Sequence, residues 1–234
     1  MARMRATGVA LWLTLGCGRI GFEVCAGCDG KPGQIQRVHA TTVGSMQVPS
    51  TTITINTQPG NTVVAIVYEN SDDAIVTDSV GTAWTPLAAE MNNCHSVWLR
   101  LWYARPPGGT DTITLSVAPR SDPIGGIAVE YSGVDPVTPI ETSTGAVAGT
   151  LDTIARAGTL DAGEGDMIVA AFADEGTTGS LGIASGYREI ARDDLFTMVA
   201  VDQLVSAGSY SPTATTPGPA DDCAVGASLA LRPE

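Results

Sequence analysis

The stretch Cys94-His-Ser-Val-Trp-Leu-Arg-Leu-Trp-Tyr-Ala-Arg-Pro-Pro107 decides the fold. From Val97 to Ala104 there is no turn former, and the run is too short for a good helix, so alternation governs its reading as a strand. One face carries Val97, Leu99, Leu101 and Tyr103, the other Ser96, Trp98, Arg100 and Trp102. The first set belongs to a core. The second places two Trp four residues apart with an Arg between them, either packed beneath a further layer or presented as an aromatic shelf. Pro106-Pro107-Gly108-Gly109 closes the strand, because neither proline donates a ladder hydrogen bond and both glycines favour a turn.

Runs of the same kind recur on either side. Strands are expected near Ile35–Val43, Thr51–Asn56, Thr62–Glu69, Ala83–Ala88, Ser96–Ala104, Asp111–Val117, Ile124–Ser132, Leu151–Ala157, Asp166–Ala173, Arg188–Ala191, Thr197–Val205 and Cys223–Leu231. Turn residues separate them at Gln58-Pro-Gly-Asn61, Pro107-Gly-Gly109, Gly163-Glu-Gly-Asp166 and Thr216-Pro-Gly-Pro219. Thr62–Glu69 and Asp166–Ala173 are apolar on both faces and should lie centrally, whereas Thr51–Asn56 and Asp111–Ser116 alternate with Thr, Ser or Asn and leave one face wet. No segment after the N-terminus carries a sustained helical stripe. About a dozen short strands predict an all-β, two-sheet antiparallel β-sandwich, jelly-roll-like, spanning residues 34–234 as a single domain.

Composition bounds the partners. The chain of 234 residues is 44% hydrophobic and 16% charged, with a formal net charge of −13. Phosphate binding needs a basic face, so nucleic acid is not an expected partner. Residues 1–16 read as a signal peptide: Arg3 and Arg5 form a basic n-region, and Ala6 to Leu15 an apolar core too short to span a bilayer. Thr14-Leu15-Gly16-Cys17 resembles the lipobox of bacterial lipoproteins, in which the cysteine is lipidated and becomes residue one; here Leu15 stands where a small residue is commoner. The alternative is an ordinary secretory peptide cut near Ala26. Both imply export, either to the outer membrane through a lipid anchor on Cys17 or to the extracellular space. Residues 17–33, rich in Gly and Cys, read as a tether. In an oxidising compartment the remaining cysteines pair most simply as Cys25 with Cys28 and Cys94 with Cys223, while a Zn site on Cys25-Ala-Gly-Cys28 stays open.

A resemblance adds to this reading. Gln58-Pro-Gly-Asn-Thr-Val-Val-Ala-Ile-Val67, Thr77-Asp-Ser-Val-Gly-Thr-Ala-Trp84, Leu101-Trp-Tyr-Ala104, Glu130-Tyr-Ser-Gly-Val134 and Gly165-Asp-Met-Ile-Val-Ala170 together resemble the β-sandwich modules of secreted bacterial surface proteins and phage tail proteins. The resemblance covers about Gln34 to Arg232 and implies a fold and a surface location. It carries no catalytic residue.

The residues themselves argue against catalysis. His39 and His95 are the only histidines, and no G-x-S-x-G, H-E-x-x-H or P-loop occurs. Glycoside hydrolysis needs only two carboxylates; Glu130 is a candidate, with Glu69 or Asp202 as partner, against the simpler reading of a solvent-facing strand residue. Asp72-Asp73, Asp193-Asp194 and Asp221-Asp222 sit in expected loops, where a Ca²⁺ ion could pin them; no other cofactor is expected. Exposed Trp on a sandwich stacks against sugar rings, so Trp98, Arg100 and Trp102 are the candidate ligand-binding residues. The expected function is that of a lipid-anchored cell-surface β-sandwich with a binding or adhesion role, first of all toward glycans, with a surface protein as the other partner. The alternatives are a non-catalytic structural or assembly module of a surface complex and, behind it, a small polysaccharide-active enzyme.

Overall fold

The computed structural model describes residues 33–70, 73–92, 97–147, 153–175, 180–216 and 223–234. The chain up to Ser132 supplies β1 (Gln36–Val48), β2 (Ser50–Thr57), β3 (Thr62–Glu69), β4 (Ile75–Asp78), β5 (Thr85–Asn92), β6 (Val97–Ala104), β7 (Gly109–Ser116) and β8 (Asp122–Ser132). The remainder supplies β9 (Ile140–Val147), β10 (Ile154–Arg156), β11 (Leu160–Ala162), β12 (Met167–Glu175), β13 (Gly182–Ile183), β14 (Arg188–Asp193), β15 (Met198–Leu204), β16 (Gly208–Tyr210), β17 (Thr213–Thr215) and β18 (Cys223–Leu231).

Two five-stranded antiparallel sheets, ordered β1-β8-β3-β6-β5 and β14-β15-β12-β18-β9, form the body of the molecule. Their inner faces meet in one apolar cluster, with Val64, Ile66, Leu99 and Leu101 on one side and Val169, Ala171, Met198 and Leu229 on the other. The chain is thus an all-β antiparallel sandwich. Each large sheet is also covered on its outer face. The sheet β2-β7-β4 packs Ile53, Ile113 and Leu115 onto Val63, Ala65 and Ala128. On the other side, β10-β17-β13 and β11-β16 pack Ala155, Ala214 and Leu160 onto Phe172, Val199 and Ile168.

This layering explains the sequence pattern. A strand enclosed on both faces is apolar along its middle, and all eight residues of β3 are buried, with the polar Thr62 and Glu69 confined to its ends. An outer strand wets one face, so β2 buries Ile53 and Ile55 while the alternating Thr52, Thr54 and Asn56 are exposed. Against the dozen or so strands expected, the described residues form the eighteen named above. The strands without an expected counterpart are β4, β9, β11, β13, β16 and β17; β9 is polar in sequence and the others span only two to four residues, too few to carry a period.

Candidate functional site

β6 lies between β3 and β5 in the first large sheet, with Trp98 opposite Glu69 and Trp102 opposite Ala65. Its outward face does not form an open shelf. Trp102 is only 6% exposed and belongs to the cluster beneath β2-β7-β4 with Val63, Ala65 and Ile113. The expectation of a ligand-binding Trp102 is therefore corrected: the third layer covers it, and the ring serves as core. Arg100 is engaged as well. Its Nε lies 2.7 Å from Oε1 of Glu69, a side chain with no exposed surface, because a carboxylate taken out of water needs a counter-charge. The guanidinium also sits 4.6 Å over the ring of Trp98, a cation–π contact. Trp98 itself is half-buried and is the one member of the trio that keeps an aromatic surface toward solvent.

The carboxylates proposed as a catalytic pair are far apart. Glu130 is fully buried rather than solvent-facing, because the turn at residues 58–61 folds over it. Its Oε1 accepts the Gln58 N–H at 2.6 Å and the Asn61 Nδ2 at 2.8 Å, and its Oε2 lies 3.3 Å from Nδ1 of His39, a side chain 37% exposed. Glu130 pairs in register with Val63 and Glu69 with Ile124, at opposite ends of the β3–β8 ladder, a separation of about 20 Å at the usual strand rise. Asp202 lies on the far side of the sheet. The Tyr131 hydroxyl donates to its Oδ2 at 3.3 Å across the inner seam, whereas Glu130, the preceding residue, points outward. Glycosidase carboxylates stand roughly 5–9.5 Å apart across one bond, so these three acids build no such centre.

The seam around Asp202 was not foreseen. Arg37 Nε at 3.5 Å and Arg188 Nη2 at 3.2 Å flank the carboxylate, and Arg37 also donates to the Glu189 carbonyl at 2.7 Å. Burial pushes the Asp202 carboxyl up, with both arginines pulling it back; burial first, and then the Asp202 charge, push the Tyr131 phenol well above its usual range. Nothing in the sequence spacing links these residues, since they come from four strands.

Asp78 was within reach of sequence reasoning, inside Thr77-Asp-Ser-Val-Gly-Thr-Ala-Trp84. Its Oδ1 accepts the N–H groups of Val80 and Thr82 at 3.2 and 2.8 Å, and its Oδ2 accepts Trp84 Nε1 at 3.1 Å. Burial alone would raise this carboxyl, but hydrogen bonds from Thr82, Trp84 and Gly81 outweigh it and hold the pKa down. The motif is a side-chain latch on the β4–β5 turn.

Among the acid pairs, Asp193 caps its own turn by accepting the Leu195 N–H at 2.9 Å, and burial pushes its carboxyl up. Asp72, Asp221 and Asp222 lie outside the described residues, and among those described no group of three His, Cys, Asp or Glu could hold a metal. Cys17, Cys25, Cys28, Cys94 and His95 also lie outside the described residues; of Cys223 only the backbone, opening β18, is described. An open cleft of about 370 Å³ is lined by Gly33, Gln34, Glu164, Gly165, Leu204 and Pro233.

No protein-family model matches the chain, and comparisons with curated proteins and with solved structures return no significant match.

Proposed function

We propose that this chain is an exported, surface-displayed β-sandwich that works by assembly or binding and not by catalysis. The observation that carries this reading is the fate of its buried carboxylates: Glu130 holds a turn and the His39 ring, Glu69 neutralises Arg100, and Asp202 bridges a seam. Each is spent on rigidity, and the three face separate parts of the molecule. The placement of Gly33 supports display: a side chain built there would lie 3.8 Å from the Glu234 carbonyl, and one on Gly165 3.5 Å from Pro233, so Gly33 lies at the same pole as the turn that opens β12. A lipid on Cys17, joined through residues 17–33, would hold that pole toward the membrane and turn the 193–197 loop, at the far end of the strands, outward.

The anchoring arm is tested by Cys17→Ser. Lipid labelling should disappear and the protein should leave the outer-membrane fraction; unchanged fractionation would show a different tether. The glycan reading retains one supporting observation, the half-buried Trp98 with Arg100 on its face. If it holds, Trp98→Ala should weaken binding on a glycan array by about 1–3 kcal/mol, the range for stacking on aromatic side chains. An array without signal for the native chain would leave assembly as the function.

A further inference from the structure

We propose that residues 36–132 and 140–231 are two copies of one eight-stranded unit joined in tandem, and that the face between them is a pseudo-two-fold interface at which each copy is the partner of the other. The strand orders show the correspondence. Reading β9-β18-β12-β15-β14 against β1-β8-β3-β6-β5 gives the same connectivity, and β10-β17-β13 matches β2-β7-β4 in the outer layer. β11-β16 completes the match: Ala162 pairs with Gly208 as Thr57 pairs with Gly109, so it continues a ladder that in the first half is unbroken.

Registers agree residue by residue. Thr62 pairs with Tyr131 as Met167 pairs with Leu231, and Val64 pairs with Tyr103 as Val169 pairs with Asp202. The irregularities agree too, and these are harder to obtain by chance, because a bulge at a given step is a specific device. The edge strands β1 and β9 share an extra residue, Val38 and Glu141, one step from the pairs Arg37–Tyr131 and Ile140–Leu231; a second shift in β1, between Ser45 and Val48, has its counterpart beyond the end of β9, outside the described residues. The opposite edges β5 and β14 each bulge at a residue that packs into the seam, Leu87 and Ile190. Gly60 and Gly165 both have positive φ, at 88° and 82°, in the turn before the central strand, where Asn61 and Asp166 each donate a backbone N–H back across it.

The packing is isologous, as a two-fold interface requires. β1 and β8 lie against β14, and in exchange β9 and β18 lie against β5. The faces have since become complementary in size. Ile66, Tyr68, Leu101 and Ile127 on the first unit occupy positions where the second has Ala171, Ala173, Ala200 and Ala227. Two first units would overfill the seam and two second units would leave it hollow, so each prefers the other.

The test is made on the full chain. A protease site is introduced at Val137, which is 83% exposed in the joining segment, and the folded protein is then cut. The two fragments should stay together as a one-to-one pair with unchanged circular dichroism, and melting should become dependent on concentration. Arg37→Gln, which removes the contacts to Asp202 and the Glu189 carbonyl, should weaken the cut pair about tenfold in Kd while the uncut variant keeps its fold. Loss of structure on cutting would show that neither half is a unit. Fragments that separate as folded monomers would show that the face is no interface.

Discussion

The two halves solve the same turn with the same chemistry placed differently. Before β12, Asp166 belongs to the turn itself and its Oδ2 accepts the Gly163 N–H at 2.7 Å. Before β3 the corresponding residue is Asn61, whose Nδ2 donates at 2.8 Å, and the accepting carboxylate comes from Glu130 on the neighbouring strand. Ala230 stands where Glu130 does, so the second half has no strand carboxylate to spare. The turn requires one buried acceptor for its N–H groups, and the chain position that supplies it is free to move. A buried Glu on a strand is therefore no sign of catalysis here; it compensates for an amide.

The outer layers differ in the same manner. Trp102 in the first half corresponds to Val201 in the second, and both are core. Trp102→Ala should cost about 3–5 kcal/mol in urea unfolding, and Val201→Ala distinctly less, because the cavity scales with the side chain removed. A Trp102→Ala protein as stable as the native chain would restore the exposed shelf and break the comparison.

A smaller effect, which should be equal in both halves, is expected at Gly126 and Gly226. A Cβ on Gly126 would stand 2.6 Å from Leu115 Cδ1 and 2.7 Å from the Ile66 carbonyl, and one on Gly226 would meet the Arg156 carbonyl. Alanine at either site should destabilise by about 1–3 kcal/mol through overpacking. Thermal melts that move for one glycine and not for the other would show that the outer layers approach the two sheets differently.

The turn comparison can be sharpened directly. Glu130→Ala leaves the Gln58 N–H and the Asn61 amide without their acceptor and should cost about 1–3 kcal/mol. Adding Asn61→Asp to Glu130→Ala copies the second half and should recover most of that loss in the same unfolding assay. No recovery would mean that Glu130 matters through His39 and not through the turn.

The smallest effects are in the pH dependence, and two aspartates should show opposite signs. Asp78 is held below its ordinary value of 3.8, so its stabilisation is present above that pH and is lost as pH falls through the folded pKa. Asp202 is raised above 3.8, so the fold binds its proton more tightly than the unfolded chain does, and stability is lost as pH rises through the folded value. Asn resembles the protonated acid in each case. Between acidic and neutral pH, Asp78→Asn should therefore fall behind the native chain in Tm, while Asp202→Asn should gain on it. Parallel pH profiles would contradict both assignments.

Much of the fold was legible from alternation. The inward face of Val97, Leu99 and Leu101, the central position of the two-faced apolar runs and the turns between strands all follow from local chemistry, since side-chain direction in a strand has period two and Gly, Pro and Asn bend the chain wherever they cluster. The candidate site was legible only as a face. Alternation places Trp98, Arg100 and Trp102 together, but what lies over that face is set by strands far away in sequence. The third layer put Trp102 in the core, the β3–β6 register brought Glu69 to Arg100, and the 58–61 turn closed over Glu130. Even the repeat of one unit was hidden in the sequence, because the core tolerates Ile66 against Ala171 and Trp102 against Val201 once volume is balanced across the seam and under the outer sheets. Local sequence determined which residues share a face; the tertiary structure decided what each face meets, because burial belongs to pairs of surfaces and only one surface of each pair is written in any one stretch.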